Sequence, residues 1–227
     1  DVGGGTTDMC IFIDGSVAYS AVIPVGARNI TNDLAIGLRI SLESAEKIKL
    51  ALSHKHKLPV LPVEHEEKSK KEESAKDELD FSELNLPEGL KKVSKRTLVE
   101  GIIKPRLMEL FTLVGIELQK SGLAGQTPAG VVLTGGGAET VGIIDACKQR
   151  LSLPVRVGDP VGVSGLIDEL QSPASSTSIG LLIFGSKEES QGSRGKSFMP
   201  NLSGLTSKIP LKGIAKRIMD LVKSFLP

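Results

Sequence analysis

Two glycine turns set far apart in the chain do most to limit its fold. "DVGGGTTD" occupies residues 1–8 and "TGGGAET" residues 134–140. Each adjoins an apolar run too short for most helices and suited to a buried strand, Met9 to Ile13 after the first and Val131 to Leu133 before the second. Asp14-Gly15 reads as a hairpin turn, with Ser16 to Val25 as the return strand. The second turn is followed by a helix expected over Glu139 to Arg150 and a strand over Pro154 to Val157. That strand, glycine turn, helix and strand form an α/β unit whose ligands lie at the carboxyl ends of strands.

Glycine lacks a Cβ, so the N–H groups of Gly3, Gly4 and Gly5 can approach and point at a phosphate, with the hydroxyls of Thr6 and Thr7 as further donors. Asp1 and Asp8 flank the turn and suit Mg²⁺ held through its waters, since that ion needs only one or two carboxylates. Taken alone, the stretch fits a plain turn as well as a phosphate grip. The second turn alone is weaker still, because it lacks the spacing of a dinucleotide or P-loop fingerprint.

With 227 residues, 40% of them hydrophobic and 24% charged, the chain has the composition of a globular protein with a proper core. A net charge of +1 argues against bulk nucleic-acid binding. Cys10 and Cys147 lie in apolar elements without a recognisable spacing and are expected as reduced core thiols, which fits a cytosolic address. The chain opens inside a motif, without an initiator methionine or signal peptide, and is expected to be a fragment.

Asn29 to Leu52 has helical periodicity, and Ser41 looks like a cap between two helices. Glu64 to Asp80 is a mixed-charge run without apolar period, expected as a solvated loop, with His54, His56 and His65 beside or within it. Thr97 and Glu100 have capping-box spacing before the apolar face Leu98 to Leu118, Pro105 must kink or restart that helix, and Ser121-Gly122 stops it.

Two glycine turns in this order resemble the second phosphate motif and the adenosine motif of the actin, sugar-kinase and heat-shock-70 ATPases. Between them, "SAEKIK" puts Glu46 and Lys49 on one helical face, as in that superfamily's ribose-contacting helix. "IPVGARNITNDLAIGL", "TLVEGIIKPRLMELFTLV", "LPVRVGDPVGVSGL" and "SSTSIGLLIFG" resemble the bacterial FtsA cell-division family in particular, over its C-terminal half. A pilus-assembly actin-like scaffold, a heat-shock-70-like ATPase fragment and a small-molecule kinase remain as alternatives.

The resemblance implies an actin-like, ribonuclease H-like ATPase lobe from residues 1–40 and 128–185, with a helical or mixed subdomain inserted at 41–127 and a charged loop at about 64–80. A flexible linker is expected over 186–208 and a membrane-targeting helix over 209–227. ATP and Mg²⁺ are the implied ligands. Gly3 to Thr7 would lie at the phosphates, Asp1 and Asp8 near Mg²⁺, Glu46 and Lys49 near the ribose, and Gly135, Gly136, Gly137 and Ala138 against the adenosine. No catalytic residue stands out, and weak ATPase activity at most is expected of the complete protein.

The implied role is to tether the FtsZ ring to the cytoplasmic face of the membrane at the septum, with self-association into filaments and contacts to other divisome proteins. By resemblance, Arg96, Lys104 and Arg106 would meet the acidic and apolar C-terminal tail of FtsZ. The tail "IPLKGIAKRIMDLVKSFLP" places Leu211, Ile214, Ile218, Leu221, Val222 and Phe225 on one side of a helix and basic residues on the other. It is too polar to span a bilayer and suits the headgroup boundary of an anionic membrane.

Overall fold

Asp14 and Gly15 both adopt the left-handed region, with φ of 49° and 78°, and close a two-residue hairpin whose twist matches its strands. In the computed structural model, which describes residues 1–53, 77–163 and 168–192, this turn joins β1 (Thr7–Ile13) to β2 (Ser16–Ile23). The pairing is antiparallel, Thr7 opposite Ile23 and Ile13 opposite Ser16, with a bulge at Ile11/Phe12. Burial alternates: Thr7 and Ile11 face the core, whereas Asp8, Cys10 and Phe12 are exposed. The apolar run is therefore a one-sided strand, and Cys10, expected in the core, lies on its outer face. Cys147 is fully buried, and burial pushes its thiol up to about 12.

Arg39, itself left-handed, ends α1 (Ala27–Leu38). Ser41 then caps α2 (Leu42–Ala51), its hydroxyl accepting the Ser44 N–H at 3.2 Å. The charged run ends in structure, contrary to its reading as a loop up to Asp80. Glu78–Asp80 form β3, antiparallel to β4 (Lys92–Ser94), with Leu79 opposite Val93. Phe81 follows at 1% exposure, so two apolar anchors overrule the charges around them. The rest of the run and all three histidines lie outside the described residues.

The cap expected at Thr97 belongs to Ser94, whose hydroxyl accepts the Thr97 N–H at 3.1 Å, while Glu100 pairs with Lys104 at 2.7 Å. A π-helical stretch, Thr97–Ile103, leads into α3 (Lys104–Lys120), and Pro105 sits in the first turn of α3, where its missing N–H is tolerated. Gly122, with φ of 72°, follows the helix end.

β5 (Val131–Leu133) runs parallel to β6 (Val155–Val157) through α4 (Ile143–Leu151), as the α/β unit requires. α4 starts four residues later than expected because residues 136–139 form a 3₁₀ turn and Gly142 takes φ of 78°. Of β5 only Leu133 is buried; Val132 is half exposed. α3 packs against α4, and α1 packs against both α2 and the π-helical stretch. Leu34, Ile48, Leu98, Ile103, Phe111 and Ile143 are fully buried among them.

Residues 1–184 form one compact unit. The remainder, from Gly185, is described only as the end of α5 (Ser176–Gly192), so the segment expected to begin a flexible linker at 186 starts as helix. The amphipathic segment 209–227 lies outside the described residues. No helix among the described residues is long and apolar enough to cross a membrane.

Candidate functional site

Val2 joins the two glycine turns. Its N–H donates to Thr134 O at 2.7 Å, and its carbonyl accepts the Gly137 N–H at 2.8 Å. A Cβ on Gly135 or on Gly137 would lie 2.7 Å from Val2 O, and Gly135 also takes φ of 84°. Glycine is needed there because backbone meets backbone. Asp1 and Asp8 exchange both backbone hydrogen bonds at 2.8 Å, which puts their side chains on one face of the ladder. The Asp1 carboxylate accepts the Thr177 hydroxyl, and Asp8 Oδ2 accepts Thr6 Oγ1 at 3.4 Å.

The first turn is held from below by α1. Ala27 N–H donates to Gly3 O at 2.9 Å and Arg28 N–H to Gly4 O at 2.8 Å, while Gly3 N–H donates to Thr6 O at 2.9 Å. With the carbonyls occupied this way, the N–H groups of Gly4 and Gly5 have no partner among the described residues, and both glycines are exposed. Gly26 makes the docking possible: a Cβ there would lie 2.7 Å from both Gly3 O and Gly4 O. The sequence reading missed Gly26 as a site residue. Its signal was Asn29, three residues on, whose Oδ1 accepts the Gly26 N–H at 3.0 Å in the manner of a capping box.

Glu46 and Lys49 abut that same first turn of α1. Lys49 Nζ donates to Glu46 at 2.8 Å, to Thr31 Oγ1 at 2.9 Å and to Ala27 O at 3.4 Å. Thr31 in turn donates to Glu46 at 2.5 Å. Burial opposes ionisation of Glu46, but the hydrogen bonds from Lys49 and Thr31 and the charges of Lys49 and Arg28 outweigh it, so its carboxyl titrates below the ordinary value.

Some candidates are placed differently from their expected roles. The Thr7 hydroxyl, expected to reach phosphate, is buried and donates to Val25 O at 2.8 Å, so it braces the turn. Gly137 and Ala138 are buried, and of the second turn's glycines Gly136 is the exposed one. Lys104 is paired with Glu100. Arg106 is turned onto Asp33 and Glu109, and, two residues from Lys104 on the same helix, it does not share that residue's face. Arg96 is exposed at the helix start.

Taken together, the arrangement presents backbone donors at Gly4 and Gly5 without a partner among the described residues, an exposed Gly136, and two carboxylates on one face. The donors suit an anion. The carboxylates are hard oxygen ligands and fit Mg²⁺ that keeps its waters; no cluster of three or more acidic, histidine or cysteine side chains forms a closed cage among the described residues.

Residues 1–180 match the family described as cell division protein FtsA. A cell division protein FtsA from Pseudomonas aeruginosa is 36% identical over 192 residues, covering 85% of this chain and 42% of that protein. The chain thus spans less than half the length of the curated relatives it matches. Among solved structures, MreB 5 of Spiroplasma citri bound to AMPPNP superposes with a TM-score of 0.56 at 21% identity, over 86% of this chain and 54% of that one. A chain of the PilM-PilN type IV pilus biogenesis complex superposes with a TM-score of 0.53 at 17% identity, over 82% and 44%. These likenesses establish an actin-like α/β fold.

Proposed function

The chain belongs to the FtsA cell division protein family, and from that premise we propose that it forms the nucleotide-gripping part of a protein that tethers the FtsZ ring to the cytoplasmic face of the membrane. The observation that carries the nucleotide half of this reading is the pair of exposed glycines Gly4 and Gly5, whose N–H groups have no partner among the described residues and which α1 holds beside the second glycine turn. Gly3, Gly4, Gly5 and Thr6 would receive the β- and γ-phosphates of ATP, with Thr7 bracing the turn from inside. Asp1 and Asp8 would orient the waters of Mg²⁺, which when bound supplies charge neutralisation at the phosphates. Glu46 and Lys49 would face the ribose, and Gly135 to Ala138 would meet the adenosine through backbone.

One turn system supplies only part of a ligand's donors. At about 1.5 to 3 kcal/mol for each hydrogen bond to a charged group, every donor not supplied costs roughly an order of magnitude in affinity or more. Binding by this chain should therefore be weak. Titration of a fluorescent ATP analogue with Mg²⁺ tests the site. The expected outcome is saturable, sub-millimolar binding that is lost in Gly4→Asp, whose added Cβ meets nothing within 4 Å in the fold but whose carboxylate sets a negative charge at the phosphates. Absence of saturable binding, or binding indifferent to Gly4→Asp, overturns the nucleotide reading.

The division role follows from the family. Self-association into filaments, contacts with other divisome proteins, an FtsZ tail steered by Arg96 and Lys104, and an anionic membrane surface met by residues 209–227 complete the proposal. At the septum the chain would act as a scaffold.

A further inference from the structure

Arg28 stands in the first turn of α1, where its N–H donates to Gly4 O at 2.8 Å. Its side chain is exposed, and its guanidinium makes no hydrogen bond or ion pair among the described residues. The cations beside it are spent: Lys49 is held by Glu46, Thr31 and Ala27 O, and Arg106 forks onto Asp33. Arg28 aside, the side-chain charges around the first glycine turn are those of Asp1, Asp8 and Glu46 against Lys49, a negative balance that opposes the anion which the donors of Gly4 and Gly5 suit.

We propose that Arg28 is a ligand of that anion: its guanidinium closes over the phosphate chain of a nucleoside polyphosphate seated on Gly4 and Gly5, on the side nearer the ribose. This role rests on the nucleotide reading above and deepens it, because it assigns a side-chain cation to a site otherwise built from backbone donors and carboxylates.

Two anchors place the side chain. Its backbone is fixed to Gly4, at the phosphate end. Its positive charge is also felt at Glu46, where it helps to keep the carboxyl ionised, so it reaches toward the pair that would face the ribose. Glu46 does not claim the guanidinium, since its carboxylate accepts from Lys49 at 2.8 Å and from Thr31 at 2.5 Å. With Gly3 to Thr6 at the β- and γ-phosphates, the oxygens left to Arg28 are those of the α- and β-phosphates. A guanidinium suits them: it stays charged, and its planar fork of N–H donors matches phosphate oxygens two at a time. ATP and ADP should therefore gain alike from Arg28.

Two substitutions test the role. Arg28→Gln keeps the N–H that holds Gly4 and is a comparable helix former, but removes the charge; Arg28→Lys keeps the charge and loses the fork. In titration with a fluorescent ATP analogue and Mg²⁺, and in its displacement by unlabelled ADP, Arg28→Gln should weaken both nucleotides about tenfold at low ionic strength, with Tm unchanged. Its affinity should also depend less on salt than that of the wild type, whereas Arg28→Lys should recover part of the affinity and of the salt dependence. Affinity of Arg28→Gln within about twofold of the wild type, or a loss that Arg28→Lys does nothing to recover, overturns the role. Saturable wild-type binding that is abolished in Gly4→Asp upholds the nucleotide reading whichever way Arg28 falls, so the two failures are distinct.

Discussion

Arg106 forks onto Asp33, Nε to Oδ2 at 2.6 Å and Nη2 to Oδ1 at 2.9 Å, and so fastens α3 to α1. The pair is about three-quarters shielded, and the hydrogen bonds that Arg106 donates to Asp33 raise the already high pKa of the guanidinium. Because α1 carries the donors that hold Gly3 and Gly4, this clamp also steadies the first glycine turn.

Breaking the clamp should cost stability in a paired manner. Arg106→Ala and Asp33→Ala are each expected to lower unfolding free energy by about 1 to 2 kcal/mol, with a coupling of about 1 kcal/mol in a double-mutant cycle by urea denaturation. Additive losses would deny the clamp. On the proposed tail interface, Arg96→Glu, at an exposed cation, should weaken binding of an FtsZ tail peptide in fluorescence anisotropy, whereas Arg106→Lys, at a side chain engaged by Asp33, should leave it nearly unchanged.

Glu88 ties the segment after the charged run to the start of α2. Its carboxylate accepts the Ser41 N–H at 2.8 Å and the Ser44 hydroxyl at 2.7 Å, and these bonds hold its pKa down at about 2 from an ordinary 4.5. A depressed carboxyl contributes stability that is fully present above the unfolded pKa and lost as pH falls through the folded one. Glu88→Gln should therefore be less stable than the wild type above about pH 4.5, with the gap in urea midpoint narrowing toward about pH 2. A gap constant with pH would show that the clip does not act through charge.

Gly135 and Gly136 stand side by side with opposite tolerances. Gly135→Ala forces a side chain into φ of 84° and against Val2, so a loss of about 2 kcal/mol or more is expected in thermal or chemical unfolding. Gly136→Ala meets only Ala174 Cβ at 3.7 Å, an ordinary contact, and should leave Tm nearly unchanged. Equal sensitivity would mean that the turns are not interlocked through Val2.

The thiols should separate kinetically. Cys10 is exposed and Cys147 fully buried with its pKa pushed up to about 12, so a disulfide reagent at neutral pH is expected to modify one thiol at once and the second only with unfolding. Two fast equivalents would contradict the core around α4.

At the far end of the chain, Phe225→Glu or Ile218→Glu should release the protein from anionic liposomes in flotation, while Lys216→Ala should be milder and more salt-sensitive. A buried large apolar side chain contributes about 1.5 to 3 kcal/mol, a basic residue near the surface about 1. Glu variants that still float would sink the membrane anchor.

The hairpin at Asp14-Gly15, the cap at Ser41 and the parallel β5-β6 unit were legible because turn chemistry and period are local. Exposure of Cys10 was not, since Met9 to Ile13 is apolar on both faces and only tertiary packing decides which face is covered. Thr7 looked like a phosphate donor by its neighbours; its hydroxyl goes to Val25, eighteen residues away, a partner no spacing rule reveals. Gly26 escaped notice because its need for a missing side chain comes from Gly3 and Gly4, far upstream. Charge hid β3, where Leu79 and Phe81 alone carry the packing signal.

Leu98 and Ile103 are both fully buried although five residues apart. On an α-helix that spacing would set them about 140° around the axis from each other; the wide turn of Thr97–Ile103 brings them to one side. The stretch thus holds one residue more than an α-helix of the same span would need. Deleting a single position here would leave α3 and β4 in their places and swing only the side chains between, so this is where the chain can change length inside its core without losing its alignment.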